Sequence, residues 1–240
     1  MTLALLADSA TVVTKGRFNP GIFSPSWLLS EGIVGEGEYE NAKLELITPD
    51  FTKFSCGWLS CTVTKDTLEL STTAVEEFER LRDAVIAIMR TLPHCPVSAM
   101  GVNRNAHFGV EGFEAWHRVG DALTPKEIWK GILDLPGMKS VTVWGVRPDN
   151  YAGRIHITVE PSSLVRFGIF VAHNDHFDLN LVDEQPHERS EFLIQDLKPQ
   201  EATLEKRGLM MSILEDDWNN SMTRADKSMR RVYSLSRGDM

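Results

Sequence analysis

The densest cluster of chemically versatile side chains is the run His173, Asn174, Asp175 and His176, which lies between two apolar stretches. Two imidazoles and a carboxylate are ligands that zinc and other divalent metals accept. In an extended strand His173 and Asp175 would point to one face and His176 to the other, so the imidazoles could not converge. If Asn174 and Asp175 instead form the centre of a hairpin turn, which both residue types favour, the two histidines flank the turn and can meet. The sequence favours a turn without chemistry, and the alternative is a metal site formed by His173, Asp175 and His176.

A second group of polar side chains lies on the strand predicted over residues 97–108. Asn103, Asn105 and His107 alternate along it and therefore share one face, where they could line a binding groove. The alternative is a solvated sheet face without a ligand. Arg104 falls among the apolar residues of the other face, so it needs either a carboxylate partner or a route to solvent.

The last forty residues show helical spacing. Trp218, Met222, Ala225, Met229 and Val232 recur at steps of four and three, which predicts a long amphipathic helix. Its other side is basic, and a Met-rich stripe of this kind adapts to a partner groove. The residues predicted to bind a partner are Trp218, Met222, Arg224, Lys227, Met229 and Arg231. The alternative is a terminal helix that packs on the sheet of its own domain.

The other reactive residue types give weaker signals. Cys56 and Cys61 fall five apart on a strand predicted over residues 53–64, so they should face opposite ways, and Cys95 has no basic neighbour to activate it. We expect unreactive thiols. The remaining histidines are scattered singly, and the chain contains no G-x-S-x-G, Walker-type, G-x-G-x-x-G or H-E-x-x-H motif. These absences remove only the enzyme classes that are recognisable from local motifs.

Composition sets broader bounds. A length of 240 residues with 42% hydrophobic content is ample for a buried core. A formal net charge of -9 disfavours broad binding to nucleic acid, except through the basic tail residues Arg224, Lys227, Arg230 and Arg231. Three sparse cysteines fit a reducing compartment, and no apolar run approaches the roughly 20 residues that span a bilayer. We therefore expect a soluble, unprocessed, cytoplasmic protein that does not bind membranes.

The elements that must position these residues alternate between strand and helix patterns. Strands are predicted over residues 10–18, 43–48, 53–64, 67–71, 97–108, 141–147, 154–160, 164–172 and 177–182, and the stretch 32–40 is predicted to be a loop. Lys65 and Asp66 should form a tight hairpin connection. A helix is predicted from about residue 75 to residue 92, with Thr73 and Glu76 as a capping box. Two further predictions are a short helix opened by Thr124 and Glu127, and helical structure over residues 114–123.

Because the strands outnumber the helices and come in hairpins, the sequence predicts an α+β fold. In it, a mainly antiparallel sheet packs against two or three helices and a long amphipathic C-terminal helix. One domain should cover residues 1–240, with a sheet-and-helix core over 1–197 and a helical segment over 198–237.

The leading functional hypothesis is a non-catalytic interaction protein or accessory subunit. It would dock onto another protein, or a second copy, through the C-terminal helix and an exposed sheet face. No cofactor is expected in this hypothesis. The competing hypothesis is a metal-dependent hydrolase or nuclease that uses His173, Asp175 and His176, with zinc or another divalent metal.

Overall fold

The computed structural model describes residues 3, 5–181 and 201–238. Val182, which was predicted to end the last strand, lies outside the described residues, as do His187 and the predicted boundary between residues 197 and 198.

The described chain is built on one antiparallel sheet of nine strands in the order β2-β3-β4-β5-β1-β6-β9-β8-β7. The strands are β1 (Leu5–Gly16), β2 (Lys43–Ile47), β3 (Phe51–Cys56), β4 (Leu59–Thr64), β5 (Thr67–Thr72), β6 (Val97–Gly109), β7 (Val141–Val146), β8 (Tyr151–Pro161) and β9 (Gly168–Leu181). The first strand is central because it pairs with β5 on one side and β6 on the other.

Six α-helices are found among the described residues. They are α1 (Pro25–Ser30), α2 (Glu36–Glu40), α3 (Phe78–Thr91), α4 (Gly112–Leu123), α5 (Leu204–Asp216) and α6 (Trp218–Leu235). The apolar stripe of α3 packs on β1 and β5, whereas α5 and α6 pack on β6 and β9. The fold class predicted from the sequence, an α+β domain with an antiparallel sheet and C-terminal helices, is therefore confirmed.

The helices all pack on one face of the sheet, which we call the covered face. Its core includes Val12, Leu70, Met100 and Phe177 under α3 and α5, and a second cluster around Phe108 under α4 and α6. We call the opposite side the open face, because no helix of the described residues covers it. Strand residues alternate between the two faces, so the neighbours of each residue that points to the helices point to the open face.

Several boundaries differ from the predictions. The single strand predicted over residues 53–64 is a hairpin, because Gly57 adopts φ 54° and turns the chain between β3 and β4. The stretch 32–40, predicted as a loop, contains α2. The predicted capping boxes are also wrong: α3 follows a 3-10 turn (Val75–Glu77) without a side-chain cap, and Glu127–Trp129 forms only one 3-10 turn.

Other predictions are confirmed. Lys65 and Asp66 connect β4 to β5, and residues 114–123 are helical within α4. Among the described residues, no helix has both the length and the apolar character needed to span a lipid bilayer.

Candidate functional site

The run from His173 to His176 lies in the middle of β9, so the predicted hairpin turn at Asn174 and Asp175 is wrong. His173 stands opposite Arg104 and points to the covered face, whereas His176 stands opposite Gly101 and points to the open face. The two imidazoles therefore lie on opposite sides of the sheet. Within the described ranges no group of three or more His, Cys, Asp or Glu side chains is arranged to hold a metal ion. The proposed metal triad is not brought together.

Asp175 is instead the centre of a buried ionic cluster. Its side chain is 0% exposed and accepts hydrogen bonds from the guanidinium of Arg147, from Arg224 Nη2 at 2.7 Å and from Ser221 Oγ at 2.7 Å. Burying a carboxylate is costly unless it is paired and hydrogen-bonded, and Asp175 satisfies both conditions. This need for buried partners explains why β9 continues where local turn propensity predicts a break.

Two more carboxylates complete the ionic cluster. Asp149 accepts from Arg147 Nη2 at 2.6 Å, and Asp217 accepts from Arg224 Nη2 at 2.8 Å. The Arg147 guanidinium also lies over the ring of Phe177, 3.5 Å from its centroid. Because these charges come from β9, from the β7–β8 connection and from α6, the cluster ties α6 to the sheet. Its acids and bases are satisfied by one another, which fits a structural role.

His173 lies beside the ionic cluster and stays uncharged near neutral pH. Burial lowers its pKa to about 4, against the raising effect of Asp175, and its Nδ1 is 3.1 Å from Ser228 Oγ. Its Nε2 is buried without a hydrogen-bond partner among the described residues.

The C-terminal helix α6 turns its apolar stripe inward. Trp218 is 2% exposed, Met229 is 0% exposed, and Met222 packs against the same core as Trp218. Of the predicted partner-binding residues, Arg224 is held in the ionic cluster, whereas Lys227 and Arg231 are exposed. The apolar stripe of α6 therefore packs on the sheet of its own domain, as in the alternative interpretation of the sequence. The basic side of the helix faces solvent.

The open face gathers most of the polar candidates. Asn103, Asn105 and His107 lie on it, as predicted, and so do Asn174 and His176 from β9. Cross-strand pairing aligns one polar residue from each of seven adjacent strands, ending against an aromatic residue on β7. We call this alignment the polar row; it consists of Ser55, Ser60, Ser71, Thr11, Asn103, Asn174, His156 and Trp144.

The centre of the polar row has unused hydrogen-bonding capacity. The side-chain oxygens of Asn103 and Asn174 are buried and have no partner among the described residues. At the β7 end, His156 lies 6.2 Å from Trp144 between ring centroids, and burial lowers the pKa of His156. Buried polar atoms normally have partners, so this part of the face can accept hydrogen bonds from water or from a bound molecule.

A cleft lies beside the part of β1 that extends beyond the end of β5. Strand β5 pairs with β1 only as far as Thr72 opposite Ala10, whereas β6 pairs with β1 as far as Leu5. Residues 5–9 therefore have no strand partner on the β5 side within the described chain. This free edge opens on a cleft of about 900 Å³.

The cleft is lined from both sides of the sheet. On the open face the lining consists of Ser9, Asn105, His107 and Phe170. The rest of the lining comes from β1, β6, the 3-10 turn before α3, and α6, and includes Leu6, Asp8, Arg104, Val75, Asp226 and Arg230. Arg104 donates to Asp8 at 2.7 Å, which supplies the carboxylate partner that the sequence required, and Arg230 donates to Asp226 at 2.5 Å. The charges of the lining are thus largely paired with one another.

His107 is held in a fixed position beside this cleft. Its Nδ1 lies 2.8 Å from Ser162 Oγ, and its ring packs on Phe170 at 4.7 Å between centroids. Burial lowers its pKa, which favours the neutral form of the imidazole. Two of the three predicted groove residues, Asn105 and His107, therefore line a real cleft, and Asn103 lies further along the same face.

The three cysteines are buried and free. Cys56 and Cys61 do not face opposite ways: the turn at Gly57 places both on the covered face, where Cys61 stands opposite Phe54. Burial raises the pKa of Cys56 and of Cys95 to about 11 and that of Cys61 further, which suppresses the reactive thiolate.

The sequence matches no protein-family model and no curated protein.

Proposed function

We propose that the protein is a non-catalytic interaction protein that binds an extended segment of a partner protein along the free edge of β1. The observation that carries the proposal is the mismatch in strand length, which leaves residues 5–9 without a strand partner on the β5 side among the described residues. On the other side these residues pair with β6, with a bulge at Leu6. Strand addition to such an edge draws its affinity from main-chain hydrogen bonds. Five residues of free edge give a docking length of roughly 17 Å.

The lining of the cleft favours a segment with few charges. Leu6, Val75 and Leu164 are exposed there, and the two ion pairs already neutralise the arginines. An incoming charged side chain would have to disrupt an existing pair or lose its own hydration. We therefore expect apolar and uncharged polar residues in the bound segment.

The lining also offers a basis for specificity. Side chains of an added strand alternate between the two faces, so one set would meet Ser9, Asn105 and His107 and the other would meet Asp8 and the outer side of α6. The sequence-based hypothesis placed partner binding on an exposed sheet face and on the C-terminal helix. In the proposed site, both surfaces contact the same bound segment. The buried stripe of α6 contributes by holding the helix in place.

The test selects ligands from a phage-displayed library of random linear peptides on the immobilised full-length protein. Selected peptides should be poor in charged residues and should protect the backbone amides of residues 5–9 from hydrogen exchange. The Leu6→Glu variant should weaken their binding at least roughly tenfold, because it places an unpaired carboxylate in the cleft. Leu44→Glu on β2 is the matched control, since both leucines are 62% exposed.

Three outcomes would overturn the proposal. The first is that no peptide is selected, and the second is that peptides bind Leu6→Glu as tightly as the unchanged protein. The third is that binding survives Leu6→Glu but is lost in the Lys227→Ala, Arg231→Ala double variant, which would move the docking surface to the basic side of α6.

A further inference from the structure

The outer edge of β7 is an unprotected strand edge. Val141–Val146 has the sequence Val-Thr-Val-Trp-Gly-Val, with no charged residue and no proline, and it pairs with β8 without a bulge. No strand of the described residues pairs with its other side. We infer that β7 pairs antiparallel with β7 of a second copy, which joins the two sheets across a two-fold axis.

The opposite edge strand of the sheet, β2, has features that protect it from pairing with another strand. Strand β2 contains Lys43 and Glu45, and its pairing with β3 is interrupted by a bulge between Leu44 and Leu46. Glu45 also forms an ion pair with Lys53 at 2.7 Å. Charges and bulges on an edge strand disfavour its pairing with the same edge of another copy. Because β7 has neither, the two edges of one sheet differ in the property that controls association.

The second copy is the occupant that the residues of β7 favour. In an antiparallel pair of identical strands, a residue next to the two-fold axis lies opposite its own copy, so a charge there would meet a like charge; β7 contains no charge at any position. β-Branched residues make up four of its six positions, and Val143 is 59% exposed. An uncharged, β-branched strand can therefore oppose its own copy without a penalty.

A run of exposed apolar residues precedes β7 in the chain. Residues 128–135 expose Ile128, Trp129, Ile132, Leu133 and Leu135, the last with 98% of its surface accessible. A six-residue strand pair alone buries less than the roughly 1,200 Å² that stable interfaces need. We infer that these exposed apolar residues, which are of the kind that marks protein–protein contacts, contribute the remaining area.

This inference does not rest on the proposed function. The free edge of β1 and the edge of β7 are separated in the sheet by β6, β9 and β8. Val143 stands opposite Ile157 on the helix side of the sheet, so substituting it leaves the side chains of the open face unchanged.

The experiment measures the mass of the full-length protein by light scattering after gel filtration, over a wide range of loading concentrations. The unchanged protein should approach twice the 27.0 kDa chain mass. Val143→Lys should raise the dimer dissociation constant at least roughly tenfold, because it places two ammonium groups close to the two-fold axis. Leu44→Lys on the β2 edge should leave the dimer intact. Far-ultraviolet circular dichroism of each variant checks that it is folded.

A second measurement identifies the strand that pairs. A nitroxide spin label at Thr142 should give a short distance between copies in the dimer, and amides of β7 should exchange more slowly as concentration rises. The inference is overturned if the unchanged protein stays monomeric at every concentration, or if Leu44→Lys rather than Val143→Lys separates the copies. A monomer in which Val143→Lys abolishes peptide binding would show that β7 receives a partner's strand, which also overturns it.

Discussion

The ionic cluster around Asp175 gives a sharp test of what holds α6 on the sheet. The Asp175→Asn substitution keeps the shape of the side chain but removes the negative charge that Arg147 and Arg224 share. Breaking a buried ion pair from one side costs about 3–5 kcal/mol because the other charge stays buried. In the variant, Arg147 still pairs with Asp149 and Arg224 still pairs with Asp217. We therefore expect the free energy of unfolding to fall by an amount at the lower end of this range, about 3 kcal/mol.

Urea unfolding followed by tryptophan fluorescence measures this loss. Trp218 lies at the start of α6 and should report on the seating of the helix. A loss of about 3 kcal/mol should also lower the Tm by roughly 6–12 °C for a chain of this size. Asp226→Asn, which breaks the exposed pair with Arg230, is the control and should leave the midpoint unchanged. A change below about 1 kcal/mol for Asp175→Asn would refute the assignment of the cluster as a structural tie.

Two further predictions concern stability. His173 has a pKa of about 4 when folded and 6.5 as the ordinary value, so between these pH values the unfolded chain binds a proton that the folded chain excludes. Stability should therefore fall as pH falls through this window, by on the order of 3 kcal/mol, and a His173→Gln variant with the same pH dependence in urea unfolding would contradict this reasoning. Gly153 has φ 142°, and an added Cβ would lie 2.1 Å from the carbonyl oxygen of His176. Gly153→Ala should cost about 3 kcal/mol or more, whereas Gly208→Ala in α5, where nothing lies within 4 Å, should be neutral or stabilising in the same assay.

Local patterns predicted the elements whose stability depends on neighbours in sequence. The spacing of Phe78, Leu81, Val85 and Ile88 predicts α3, and these residues do pack on the sheet. Alternation over residues 154–160 predicts an antiparallel strand, and β8 is one. In both cases the apolar residues recur along the sequence with the period of the element.

The error at Asn174 and Asp175 has a physical cause. Both residue types favour turns, but the partners that hold Asp175 in a strand are Arg147 and Arg224, which lie 28 and 49 residues away in sequence. The turn between β8 and β9 comes earlier, after Pro161 and Ser162, and there Ser162 Oγ accepts from the amides of Leu164 and Val165. The charges that keep Asp175 in the strand are distant in sequence and give no local signal.

The candidate site was predicted only in part for a related reason. The alternation of Asn105 and His107 places them on one face from sequence alone, and the structure agrees. The cleft beside them exists because β5 stops at Thr72 while β1 continues to Leu5. Relative strand lengths depend on register between distant segments, which a single sequence does not reveal.

The ionic cluster also affects how the molecule opens. The charged groups that hold the first half of α6 are Arg224 and Asp217, and they connect it to the sheet. Its C-terminal end is held by a different element: the guanidinium of Arg118 in α4 donates to the carbonyl oxygen of Ser236 at 2.6 and 2.8 Å, beside apolar packing at Leu235. Lifting the first half of α6 would leave Arg147 and Asp175 short of partners inside the sheet, whereas releasing its end would break the hydrogen bonds from Arg118 and leave the ionic cluster intact. The beginning of α6 should therefore open together with the sheet as one cooperative unit, and its end together with α4.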